Sequence, residues 1–89
     1  MNFETNLNTN QTIDGRQIAD NIRAERNRIK MTQEEVADAL GVTRRTYIEY
    51  ETDAKNLRVS MLVKLASLFN CNIGAFYVQS NSTNSEEYK

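Results

Sequence analysis

The chain of 89 residues has no histidine, no proline and no tryptophan, and only one cysteine and three glycines. Each shortage closes off a class of chemistry. Without histidine there is no imidazole to titrate near neutral pH or to ligate a metal. With Cys71 alone, a disulfide within the chain and a zinc site are both excluded. Cys71 itself reads as a small residue near a helix end, not as a redox centre. No glycine-rich run could cradle a phosphate, and no second domain could form a pocket, so neither an enzyme nor a cofactor or small-molecule ligand is expected. No apolar run approaches the roughly 20 residues needed to span a bilayer. The N-terminus lacks the basic start and apolar stretch of a signal peptide, so the expected location is the cytoplasm.

What is present suits one soluble domain with a modest core: 39% hydrophobic and 26% charged residues. The net charge is −1. Its distribution says more than its sum, because Arg16 to Lys64 carries ten Lys/Arg against eight Asp/Glu, a local +2. Such a mildly basic centre predicts weak non-specific affinity for nucleic acid and reliance on a few placed contacts.

Residues 1–13, rich in Asn and Thr, read as a flexible arm, and residues 79–89 as a flexible polar tail. Between them, residues 14–78 carry five helical signals and no convincing strand. The first runs from about Asp14 to Lys30, with Ile18, Ala19, Ile22, Arg26 and Ile29 recurring at helical spacing. The fourth, to Asn70, places Leu62, Leu65, Ala66 and Phe69 on one face. Ile73 to Val78 reads as a last short helix, and Thr52 to Arg58 as a loop.

The second and third signals are the most informative. In TQEEVADALGVTRRTYIEYE (32–51), Thr32 and Glu35 have the spacing of a capping box. Val36, Ala37 and Leu40 make an apolar stripe, Gly41 permits a turn with positive φ, and Thr43 caps again before Arg44-Arg45. Two short capped helices across one glycine are the grammar of a helix-turn-helix, whose second helix enters the DNA major groove.

At about 100° per residue, Tyr47, Tyr50 and Glu51 share one side of that second helix, and Arg44, Arg45, Ile48 and Glu49 the other. The first side is expected to face inward, with the tyrosine hydroxyls at its edge. The second is the candidate base-reading side. Arginine donates in pairs to guanine, an exposed Ile48 suits a thymine methyl, and Glu49 can accept from cytosine or orient an arginine. A solvated helix face would also carry Arg and Glu, and the exposed isoleucine among them favours contact. Gln33 and Thr43, with Lys55, Asn56 and Arg58 of the following loop, are candidate contacts to the DNA backbone. Those five residues also suit plain capping and a solvated loop.

From Ile18 to Val78 the chain resembles the Cro/phage-repressor family of helix-turn-helix domains, the XRE-like group of bacterial regulators. The resemblance is carried by Ile22-Arg23, Arg26, Thr32-Gln33-Glu34-Glu35, Val36-Ala37, Leu40-Gly41-Val42, Thr43-Arg44-Arg45-Thr46, Glu51 and Leu62 through Ala66. It implies an all-α fold, a five-helix bundle of the lambda-repressor-like kind, that binds palindromic operators as a dimer in a bacterial or phage-encoded, nucleoid-associated setting. It implies phosphate contacts at Gln33 and Thr43, base readout at Arg44, Arg45 and Glu49, and an ion pair between Arg26 and Glu51. Three positions depart from the family pattern: Asp53 stands where glycine is common, Leu57 where proline is common, and Glu49 where a polar or basic residue is common.

The expected function is therefore sequence-specific DNA binding, as a repressor that occludes polymerase. A chain of this length has no room for a sensing domain, so control is expected from abundance, a partner or proteolysis. The alternative is a protein-interaction module of the same fold, antitoxin-like or regulator-binding, which the near-neutral charge and Glu49 would suit. A homodimer is expected through Phe76, Tyr77 and Val78, while Phe69 and Ile73 complete the core.

Overall fold

The computed structural model describes residues 14–79. Helix α1 (Gly15–Arg28) opens where the Asp14 carboxylate accepts the Gln17 amide at 3.0 Å. It ends two residues earlier than the apolar spacing predicts, because Lys30 takes up a left-handed φ of 62°. Helix α2 (Gln33–Leu40) opens on the expected capping box: Thr32 accepts the Glu35 amide at 3.0 Å, and Glu35 accepts the Thr32 amide at 2.8 Å. Gly41, at φ 77°, ends it with the left-handed turn that only glycine adopts without penalty. Helix α3 (Arg44–Tyr50) follows after one further residue and the Thr43 cap. Helix α4 (Val59–Phe69) ends at Asn70, also left-handed.

Every regular element among the described residues is helical, with no strand, and α2, the Gly41 turn and α3 form the helix-turn-helix. The fifth element differs from the expected α-helix. It is a 3-10 helix, η1 (Ile73–Tyr77), five residues long, with an Ala75 amide that reaches back only three residues to Asn72. The arm of residues 1–13 and the tail beyond 79 lie outside the described residues. Gln79, expected at the start of that tail, accepts a hydrogen bond from Gln17 of α1 at 3.1 Å.

α1 packs on η1 and α4, α2 on α3 and α4, and α4 on η1. The buried centre is built from Ile22 of α1, Val36 of α2, Tyr47 of α3, Leu65 and Phe69 of α4, and Phe76 of η1. Phe69 and Phe76 meet edge to face at 6.3 Å. The sequence puts Phe76 at a dimer interface, but the residue has no accessible surface. The reason is a contact with α1: the buried Asn21 amide donates to the carbonyls of Phe76 (2.9 Å) and Val78 (2.8 Å), drawing η1 onto its own chain. Tyr77 and Val78 remain outside, 40% and 51% exposed. Ile73 packs against the core as expected.

A contact that sequence alone does not announce holds the loop after α3. The Gly15 carbonyl accepts the Ala54 amide at 2.9 Å, and a β-carbon at Gly15 would lie 2.4 Å from the Lys55 nitrogen. Asp53 lies in this close approach and is not left-handed; its carboxylate accepts the Lys55 amide at 3.0 Å and turns the loop instead.

Candidate nucleic-acid interface

Helix α3 is positioned from its inner side. Tyr47 is fully buried, and its ring meets Tyr50 edge to face at 5.8 Å. Its hydroxyl is not at an edge, as the helical wheel predicts, but inside, donating to the Glu51 carboxylate. Glu51 caps the end of α3, and its side chain is 3% exposed. Arg26 of α1 grips that carboxylate with two donors, Nε to Oε2 at 2.6 Å and Nη2 to Oε1 at 3.1 Å. Gln33, the first residue of α2, adds a fourth donor at 3.1 Å. Arg26 also donates to the Met31 carbonyl at 2.9 Å, and Arg23 to the Glu51 carbonyl at 3.0 Å. One carboxylate thus ties α1, α2 and α3 together, and Arg26 extends the tie to the α1–α2 turn.

The electrostatics follow from this geometry. Burial works to raise the Glu51 pKa, but the hydrogen bonds from Arg26, Tyr47 and Gln33 outweigh it and hold the carboxyl below its ordinary value. The bond to Glu51 raises Arg26 further still. Burial, and then the bond to Glu51, push the Tyr47 phenol well up, so it remains a donor at neutral pH. Burial likewise raises the Cys71 thiol, away from the thiolate form that reacts.

The outer side of α3 is the reverse. Arg44, Arg45 and Glu49 are exposed, and among the described residues none of them makes an ion pair or a side-chain hydrogen bond. Glu49 therefore does not hold an arginine in place. Ile48, expected to be exposed, is partly buried, so less of its apolar surface faces outward.

The expected backbone contacts gather on two flanks of α3. On one, Gln33 and Arg44 line a shallow depression with the α1–α2 turn. Gln33 is partly buried with its amide NH2 on Glu51, which makes it a strut as well as a candidate contact. On the other flank, Glu49, Asn56 and Arg58 line a groove between the end of α3 and the start of α4, and Lys55 is exposed beside them. Thr43 is exposed at the start of α3, accepting the Thr46 amide at 3.0 Å.

Three features that hold this arrangement escape sequence reasoning: Gly15, Asn21 and the internal role of Gln33. Asn21 alone leaves a signal, a polar residue one position from Ile22 and three from Ile18 on the buried stripe of α1. Among the described residues, no cluster of Cys, Asp and Glu could hold a metal, and no helix is long and apolar enough to cross a membrane.

Comparison with known proteins agrees with this architecture. A helix-turn-helix family model matches residues 22–76, from the middle of α1 through most of η1. No curated protein matches the chain. A solved structure described as "Crystal Structure of Fe(II)-HppE with alternative substrate (S)-1-HPP" is similar with a TM-score of 0.68 and 24% identity. The match covers 73% of this chain and 34% of that one, so this chain spans about a third of that protein's length. At that identity the likeness establishes the fold alone, and the Fe(II) and the substrate belong to that other protein.

Proposed function

The chain belongs to the XRE-type helix-turn-helix family of DNA-binding regulators, and on that footing we propose that it is a sequence-specific repressor. It binds a palindromic operator as a homodimer, with α3 in the major groove. The observation that carries the reading is the contrast across α3: an inner side locked by Glu51, and an outer side presenting two uncommitted arginines. Arg44 and Arg45 suit guanine O6 and N7, Glu49 suits cytosine N4, and Ile48 offers its remaining apolar surface to a thymine methyl. Thr43, Gln33, Lys55, Asn56 and Arg58, on the flanks, suit phosphates. The folded unit is residues 14–78. Tyr77 and Val78 are the candidate dimer surface; Phe76 supports them from within the core.

Selection of bound sequences from random duplex DNA tests the whole reading. The expected result is a palindrome with half-sites about 10 base pairs apart, the spacing of two recognition helices one turn of DNA apart. Enrichment of a single, unrepeated half-site would remove the dimer; no enrichment would remove base readout. The second reading, a protein-interaction module, is favoured by one observation, the exposed and unpaired carboxylate of Glu49 on the outer side of α3. It predicts salt-insensitive binding to a protein partner and no retention on DNA.

A further inference from the structure

We propose that Asn21 is a positioning residue that sets the spacing between operator half-sites, by holding the dimer surface of η1 in a fixed relation to α3. This role rests on the DNA-binding dimer of the proposed function, and it adds what fixes the distance between the two reading helices.

Among the described residues, the buried polar side chains outside the aromatic core are Asn21 and Glu51. Burying an amide costs free energy unless its hydrogen bonds are answered. Asn21 answers with one nitrogen that donates twice, to the Phe76 carbonyl at 2.9 Å and the Val78 carbonyl at 2.8 Å. What it grips is the end of a five-residue 3-10 helix, where carbonyls lack partners within the element. The contact of Phe76 with Phe69 does not fix η1 by itself, because apolar burial is non-directional and tolerates sliding. Two hydrogen bonds on carbonyls two residues apart do fix it. Tyr77 lies between the gripped carbonyls and Val78 carries the second, so the exposed pair takes its position from Asn21. A second tie runs from Gln17, one turn before Asn21, to the Gln79 side chain at 3.1 Å.

The same helix holds α3. Arg26 binds the Glu51 carboxylate, and Arg23 the Glu51 carbonyl. Asn21 and Arg26 are about 7.5 Å apart along α1 and about 140° apart around it. α1 is therefore a ruler with a polar clamp on each side, one for the dimer surface and one for the reading helix. In a two-fold dimer, a shift of η1 on α1 occurs in both copies. It changes the distance between the recognition helices, which has to match about 34 Å, one turn of DNA. A leucine at position 21 would fill the core without a polar cost; the amide adds direction.

The test measures the affinity of the full chain for a single half-site, for the selected palindrome, and for palindromes with one central base pair added or removed. The wild-type chain is expected to bind the altered spacings at least about tenfold more weakly than the selected one. Asn21→Leu keeps a branched side chain and deletes the donors. It is expected to bind the half-site within about twofold of wild type and the selected palindrome about tenfold more weakly. Its penalty for altered spacing should fall below about threefold, because a loosened η1 lets the dimer adjust. An equal loss on half-site and palindrome makes Asn21 a residue of the fold alone and overturns the proposal, as does an undiminished spacing penalty. If Asn21→Leu does not fold, Gln17→Leu decides, with a smaller fall in the penalty expected and an undiminished penalty overturning the role of α1. A wild-type chain that gains nothing from the second half-site would remove the dimer reading itself, and one that is not retained on DNA would remove the DNA-binding reading.

Discussion

On the inner side of α3, the Glu51 carboxylate takes donors from Arg26, Gln33 and Tyr47, and no buried polar side-chain atom in the described chain lacks a partner. About one helical turn away on the outer side, Arg44, Arg45 and Glu49 stand in solvent with no partner of their own among the described residues. The seven-residue helix and its Glu51 cap therefore carry two opposite solutions for charge. A buried charge must be answered within the fold, because leaving it unpaired is costly. An exposed charge needs no answer, and it stays available for a partner that brings its own. The inner side sets where α3 lies, and the outer side sets what it can meet. Their roles should separate under mutation.

The largest effect is expected from breaking the inner side. Arg26→Ala strands the Glu51 carboxylate in the interior and should destabilise the fold by about 3–5 kcal/mol. That would lower the melting temperature by more than about ten degrees in a domain of this size. Arg44→Ala, on the outer side, should leave it unchanged. Equal melting temperatures for the two variants would erase the distinction between the sides.

Protonation attacks the same pair more gently. Because the Glu51 pKa is held low in the folded protein, its contribution is complete above the ordinary carboxylate pKa and fades as the pH falls through the depressed folded value. Stability should be flat from neutral pH to about pH 5 and decline below about pH 4. In Glu51→Gln that acid decline should be smaller, on a lower plateau. Urea titrations across the pH range check this, and an identical acid slope in both proteins would place the acid-sensitive group elsewhere.

The two sides are not equally legible in sequence. The pair of Arg26 and Glu51 is implied by family resemblance, and the split of α3 into Tyr47/Glu51 and Arg44/Arg45/Glu49 follows from helical periodicity. Caps and apolar stripes are local, so Thr32, Glu35, Gly41, Val36 and Leu65 can be placed from spacing alone. Contacts that close over long sequence separations cannot. Gly15 under the Lys55 backbone, Asn21 on the Phe76 carbonyl and Gln33 on Glu51 all depend on which elements meet in space. Phe76 shows the same limit. Aromatic character near the chain end fits an interface or a core, and only the docking of η1 on α1 decides for the core.

A smaller and more selective effect is expected from the outer side. If Arg45 reads a guanine, Arg45→Ala should reduce discrimination at one position of each half-site by about 1–3 kcal/mol. Affinity for unrelated DNA should fall only by the loss of one cation. Competition among single-base variants of the selected site measures this. A uniform loss across all variants would make Arg45 a phosphate contact and move base reading elsewhere on the helix.

Glu49 is where the contrast between the two sides is most severely tested, because an acid on a surface that meets phosphates is repelled unless a donor answers it. The inner side of α3 shows how this helix answers a carboxylate, with four donors on Glu51. Glu49 has none among the described residues, so if the outer side of α3 meets DNA, the answering donor would come with the ligand. Cytosine N4 is such a donor. Glu49→Gln should therefore relax the preference for cytosine at one position, at the low end of the range for a base contact, about 1 kcal/mol. The melting temperature should not move, since the carboxylate holds nothing in the fold. If instead Glu49→Gln binds every duplex more tightly and discriminates as well as before, Glu49 only repels the backbone. The outer side of α3 would then read bases through its arginines alone.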